Sequence, residues 1–106
     1  MTYKSLIVGL GNIGMGYDLG ERSGGRVATL ARAFFEHSEF ELVGGVDTNS
    51  SRRQLFQNQY ARQSFASLEM ALRETDPDVV AVAVPTEAHH RVLSDVLRLV
   101  TPKAIL

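Results

Sequence analysis

The sequence predicts an α/β domain, a doubly wound parallel sheet with strand order 3-2-1-4-5, occupying residues 1–106 as one domain. Three observations carry the prediction. An apolar run near the N-terminus, Ser5 to Leu10, ends in glycines; the most apolar segment of the chain, Val79 to Val84, closes on Pro85; and strand-like and helix-like patterns alternate between them. Continuous apolar runs, as opposed to alternating ones, mark strands covered on both faces, the condition of a parallel sheet with helices above and below.

The elements follow in order. Ser5 to Leu10 is the first strand. After a glycine-rich stretch, Val27, Leu30, Ala31, Phe34 and Phe35 recur at helical spacing, so they are expected on one buried face of a helix ending near His37, with the Phe34-Phe35 pair in the core. Phe40 to Val46 is the second strand. Asp47 to Ser51 then supplies turn and capping chemistry for a helix carrying Leu55, Phe56 and Tyr60. Ser64 to Ala66 is a short edge strand, and Ser67 caps a helix holding Leu68, Ala71 and Leu72 that breaks at Asp76-Pro77-Asp78. Val79 to Val84 belongs at the sheet centre because it is apolar throughout and rich in β-branched residues. Thr86 is expected to cap a last helix with Val92, Leu93, Val96, Leu97 and Val100, before the apolar strand start Ala104 to Leu106.

Composition excludes several classes of function. Hydrophobic residues make up 44% and charged residues 22% of the 106, which fits a folded globular domain. A net charge of −1, with both signs dispersed, offers no footprint for nucleic acid. The absence of cysteine rules out disulfides and thiolate metal sites, and the three histidines lack zinc-ligand spacing, so no metal is expected. No apolar run reaches the roughly 18 residues that a membrane span needs, and no secretory leader is visible, so the cytoplasm is the expected compartment.

The chemistry is concentrated at the carboxyl ends of the strands. Gly9-Leu10-Gly11-Asn12-Ile13-Gly14 matches G-x-G-x-x-G directly after a buried strand. The first glycine permits a tight turn, the second lets backbone approach a pyrophosphate, the third allows close helix-to-strand packing, and N–H groups at a helix start favour an anion. The alternative is that the glycines only form a tight turn. This is the pattern of a Rossmann-type dinucleotide site, with Gly9, Gly11, Asn12, Ile13 and Gly14 as cofactor contacts. An acidic residue is expected about 20 residues further on to accept hydrogen bonds from the adenosine ribose. Asp47, at the end of the second strand, lies 33 residues after Gly14 because Met15 to Arg26 reads as an inserted loop, either a flap or plain surface. Asp47 favours NAD; Arg52 and Arg53, one turn on, leave NADP as the alternative. Asp47 also reads as a capping turn residue.

Leu6 to Gly14, Val43 to Asp47 and above all VVAVAVPTEAHH (Val79 to His90) resemble the N-terminal domain of the Gfo/Idh/MocA oxidoreductases, over essentially the whole chain. The resemblance implies that Pro85, Thr86 and His89 stand beside the nicotinamide, with Val84 replacing a usual hydroxyl residue. His89 equally reads as a partly packed histidine. It further implies a catalytic lysine in a Glu-Lys-Pro motif beyond Leu106, so that no catalytic residue falls in this chain; Lys103 reads as a solvated lysine. A second, C-terminal substrate domain would follow the point where this fold is cut, and the protein would form homo-oligomers through it. The implied activity is hydride transfer between NAD(P) and a hydroxyl-bearing carbon of a sugar, sugar nucleotide or polyol. The alternative is a non-catalytic module that senses NAD(H) or a nucleotide.

Overall fold

A computed structural model describes residues 2–11, 14–16, 29–99 and 104–106. Five parallel strands form one sheet in the order β3-β2-β1-β4-β5, as expected. They are β1 (Tyr3–Val8), β2 (Phe40–Val46), β3 (Gln63–Phe65), β4 (Val79–Val82) and β5 (Ala104–Ile105). Between them run α1 (Leu30–Glu36), α2 (Ser50–Tyr60), α3 (Leu68–Thr75) and α4 (Thr86–Leu99).

The sheet separates two apolar layers. Ile7, Leu42, Val79 and Ala81 pack with Leu10, Met15, Ala31, Phe34, Phe56 and Tyr60 on the α1/α2 side. Leu6, Val8, Val46 and Val80 pack with Ala71, Leu72, Val92 and Val96 on the α3/α4 side. Neighbours in β1 and β4 thus point to opposite layers, which is why those strands read as unbroken apolar runs. Fully burying side chains such as Leu6, Ile7 and Val80 stabilises the fold by about 1.5–3 kcal/mol each.

Strand β2 departs from simple alternation. Ser5 pairs with Leu42 but the next residue, Leu6, pairs with Gly44, so Val43 is an extra residue, a bulge. Leu42 therefore belongs to the α1/α2 layer and Val46 to the opposite one, although an even spacing separates them. The bulge also settles the two glycines that follow. A Cβ on Gly45 would stand 2.9 Å from Leu10 Cδ2 and 3.1 Å from the Phe56 ring, and one on Gly44 would stand 3.1 Å from the Phe65 ring. Both layers close onto bare backbone there.

Caps and latches fix the helix ends. The side chains of Thr29, Asn49 and Ser67 accept the N–H groups of Arg32, Arg52 and Met70. Helices α2 and α3 stop in left-handed residues, Ala61 (φ 54°) and Asp76 (φ 44°). Past α3, Asp78 clips β4 to β1: its carboxylate accepts from the Lys4 N–H (2.9 Å) and its own N–H donates to the Lys4 carbonyl (2.8 Å).

Several expectations are corrected. Phe35 is 38% exposed, not core: in a helix of seven residues the buried face takes Ala31, Arg32 and Phe34, and Phe35 turns to stack on Tyr60 and lie under the Arg62 guanidinium. Leu55 and Leu97 are also exposed, each one residue off the face that buries Phe56 and Tyr60, or Val92 and Val96. The first strand begins at Tyr3 and ends at Val8, and β4 ends at Val82, two residues earlier than its apolar run. The middle of the sheet is β1, with β4 beside it. Thr86 is the first residue of α4 and not the residue before it. Arg32, buried in α1 and paired with Glu36 at 2.7 Å, was not anticipated. Val27, Val100, Thr101, Pro102, Lys103 and all but the first two residues of the Met15–Arg26 loop lie outside the described residues.

Candidate functional site

In an open parallel sheet the loops leave a crevice where the strand order reverses. Here that point lies between β1 and β4, since the chain moves from β1 to β2 on one side and later returns to the other. Two hydrogen bonds carry the pairing one residue past the strands: Gly9 N–H to the Val46 carbonyl (2.8 Å) and Ala83 N–H to the Val8 carbonyl (2.7 Å). Gly9 and Ala83 are thereby pressed side by side. Gly9 has φ +104°, and a Cβ there would lie 2.7 Å from the Ala83 carbonyl group. A Cβ on Gly14 would collide with the Gly9 carbonyl oxygen. These two glycines let the chain fold back over the strand ends.

Gly11 differs. Apart from its neighbours in the chain, no atom of the described residues lies within 4 Å of where its Cβ would stand. Its carbonyl accepts the N–H groups of Met15 (2.8 Å) and Gly16 (2.9 Å), forming a turn, and Ala31 N–H ties α1 to the Gly14 carbonyl (2.9 Å). The glycine motif thus opens a turn, and α1 proper starts only at Leu30. Asn12 and Ile13 lie outside the described residues.

Above this corner is a groove of about 800 Å³. Val8, Gly9 and Gly11 form its base, and Val46, Asp47, Thr48 and Arg52 one wall. Ala66 and Leu68 close an end. Ala83 to Pro85 and α4 residues Ala88, Arg91, Val92 and Asp95 form the facing wall. Most of the lining residues are apolar, and Asp47, Arg52, Arg91 and Asp95 are the charged ones. That suits a ligand with a flat apolar part and a polar, anionic backbone.

Asp47 is the most constrained of the charged groups, its side chain 11% exposed. Oδ2 accepts the Leu10 N–H (2.9 Å) and Oδ1 the Asn49 N–H (2.9 Å). Arg52, half exposed, has Nη1 3.7 Å from Oδ2. Arg53 is engaged elsewhere, its Nη1 donating to the Asp47 and Thr48 carbonyls. The capping role read for Asp47 passes to Asn49.

The groove brings together Gly9, Gly11, Asp47, Arg52 and Pro85 from widely separated stretches of sequence. Gly14 supports it from behind. His89 is not among the lining residues. Its Nε2 donates to the Val84 carbonyl (2.7 Å), a bond that places the ring proton on Nε2 and fixes the loop between β4 and α4. Thr86 opens α4, and its side chain lies outside what the structure describes. Sequence reasoning missed Arg91 and Asp95. Their signal was the spacing Ala88, Arg91, Val92, Asp95, a second helical stripe beside the core stripe of α4.

Among the described residues no three His, Cys, Asp or Glu side chains converge as metal ligands, and no helix is long and apolar enough to cross a membrane.

Solved structures with this fold include myo-inositol dehydrogenase from Corynebacterium glutamicum, with TM-score 0.73 and 18% identity over 98% of this chain and 27% of that one. WlbA dehydrogenase from Bordetella pertussis, solved with NADH and UDP-GlcNAcA, aligns with TM-score 0.72 and 23% identity over 93% of this chain and 27% of that one. Scyllo-inositol dehydrogenase from Lactobacillus casei, with NAD(H) and scyllo-inositol bound, gives TM-score 0.71 and 17% identity over 93% and 26%. This chain therefore spans about a quarter of the length of the solved structures it matches. No curated protein sequence matches it significantly. The family model described as an oxidoreductase family with an NAD-binding Rossmann fold matches residues 3–102. The glycine turn at a strand end, the acidic residue at the next, and that match together place the chain in the Gfo/Idh/MocA oxidoreductase family, as its NAD-binding Rossmann domain.

Proposed function

We propose that the groove over Gly11 holds NAD and that the whole protein is a dehydrogenase acting on a hydroxyl-bearing carbon of a sugar, sugar nucleotide or polyol. The observation that carries the reading is the contrast within the glycine motif: Gly9 and Gly14 are closed in by backbone, while Gly11 opens onto the groove beneath Asp47 and beside the β4 loop. A pyrophosphate needs bare backbone of this kind for close approach.

In this reading Gly9 to Gly14, with Asn12 and Ile13, cradle the pyrophosphate. Asp47 has acceptor capacity left on its carboxylate for the ribose hydroxyls of the adenosine. Arg52 edges the same pocket, Ala88 and Val92 cover the adenine, and Pro85, Thr86 and His89 shape the nicotinamide end. A carboxylate beside the ribose repels a 2′-phosphate, so NAD is preferred over NADP. When bound, the nicotinamide accepts or gives a hydride; the domain's own task is to orient that ring and keep water from it. The base that takes the hydroxyl proton, and the domain that holds the substrate, belong to a longer two-domain protein of which residues 1–106 are the nucleotide-binding part. The length of the matched structures supports that organisation, and the bound inositol and sugar nucleotide of two of them support the substrate class.

Calorimetric titration of the chain with NADH and with NADPH tests the reading. Saturable one-to-one binding is expected, with NADH tighter by roughly tenfold, the difference one charge-assisted contact makes. Binding of neither nucleotide overturns it.

A further inference from the structure

We infer that Asp47 is a positioning residue for the glycine turn as well as a reader of the ribose, so that the two halves of the nucleotide site are mechanically coupled through one carboxylate. The inference rests on the NAD reading and deepens it.

The Asp47 side chain is almost enclosed, and each oxygen already accepts a backbone N–H before any ligand arrives. The bond to Leu10 is the informative one. Leu10 lies 37 residues away in sequence, between the packed Gly9 and the open Gly11. Gly9 is held by Val46, the residue before Asp47, through its N–H. Two successive residues at the tip of β2 therefore grip two successive residues of the glycine turn: a carbonyl holds Gly9 and a carboxylate holds Leu10. Asp47 is itself held, its N–H donating to the Phe65 carbonyl in β3 at 3.1 Å. A hydrogen bond from a backbone N–H to an ionised carboxylate is roughly twice as strong as one between neutral groups. With the Leu10 amide held, the Gly9–Leu10 peptide plane is held too, one residue before the open Gly11. The arrangement is built for pre-organisation, in which the loop is ordered before the anion binds.

A residue that only read the ribose would affect ligands in proportion to their ribose hydroxyls. A residue that also holds the turn must affect a ligand that has none. The probe is 2′,3′-dideoxyadenosine 5′-diphosphate, which keeps the pyrophosphate and adenine and lacks both hydroxyls, compared with ADP.

The experiment uses the full chain, wild type and Asp47→Ala, with Asp47→Asn as a second variant that retains one acceptor oxygen and carries the same measurements if the alanine variant does not fold. Affinities for ADP and the dideoxy analogue are measured by calorimetry, and exchange of the Leu10 amide hydrogen by NMR without ligand. We expect Asp47→Ala to weaken the dideoxy analogue by about tenfold or more, to weaken ADP further, and to speed Leu10 exchange, with Asp47→Asn falling between. Unchanged Leu10 exchange and unchanged affinity for the dideoxy analogue, with ADP alone weakened, overturn the coupling and leave the ribose reading intact. Failure of the wild type to bind ADP and NADH, with Leu10 well protected, overturns the nucleotide reading itself.

Discussion

Within the same short motif, one region is closed and the other open. Gly9 and Gly14 face backbone: the Ala83 peptide in one case and the Gly9 carbonyl in the other. Gly11 faces the groove. Steric need explains the first pair without any ligand, whereas among the described residues nothing demands a glycine in the middle. The contrast separates what the chain requires to fold from what it holds ready for a bound molecule.

The comparison can be broken at several points. The largest effect is expected from Gly14→Ala and Gly9→Ala, because each new methyl meets backbone that cannot rotate away, and at Gly9 the positive φ adds strain. Chemical denaturation should give losses above about 3 kcal/mol for each, or no folded protein. Tolerance of either change would show that the turn is looser than its geometry states. Gly45→Ala comes next, since its methyl would press on Leu10 Cδ2 and the Phe56 ring, which have some freedom to give. A loss of about 1–3 kcal/mol is expected in the same assay.

A gain is expected from Ala61→Gly. The left-handed cap of α2 penalises a Cβ, so relief of about 0.5–1 kcal/mol should appear as a higher thermal midpoint. The smallest change in stability is assigned to Gly11→Ala, within about 0.5 kcal/mol of wild type. That variant should nevertheless weaken NADH by at least about tenfold, as a methyl intrudes where the pyrophosphate would lie. Unaltered NADH affinity there would remove the open region from the ligand's path.

Much of this was legible in the residues. The apolar runs Ser5 to Leu10 and Val79 to Val84 lack a polar face because helices cover both sides of the sheet, so the fold class and strand order follow from them. Phe40–Val46 matched the second strand end to end, and Ser67 capped its helix as read. The exposed positions were less legible. Helical spacing marks a stripe but not its width, and on a helix as short as α1 the stripe is too narrow for both Phe34 and Phe35. The α4 wall of the groove was hidden for a related reason: Arg91 and Asp95 look like ordinary solvent-facing charges until the fold places them over the strand ends. Pattern also failed to reveal the bulge at Val43, because it depends on what β1 offers as a partner and not on β2 alone.

That extra residue has a bearing on how this strand tolerates change in length. Leu42 and Gly44 already pair with the successive residues Ser5 and Leu6 of β1 and already face opposite layers, so removing Val43 would leave a plain ladder with everything downstream on its present face. Gly44 and Gly45 would keep the rings they accommodate, Val46 its layer, and the carboxylate at the strand tip its aim at Leu10. The bulge is thus a spare residue: β2 can lose one position there without turning over, whereas the same loss from β1, which has no slack, would move every later side chain to the other layer.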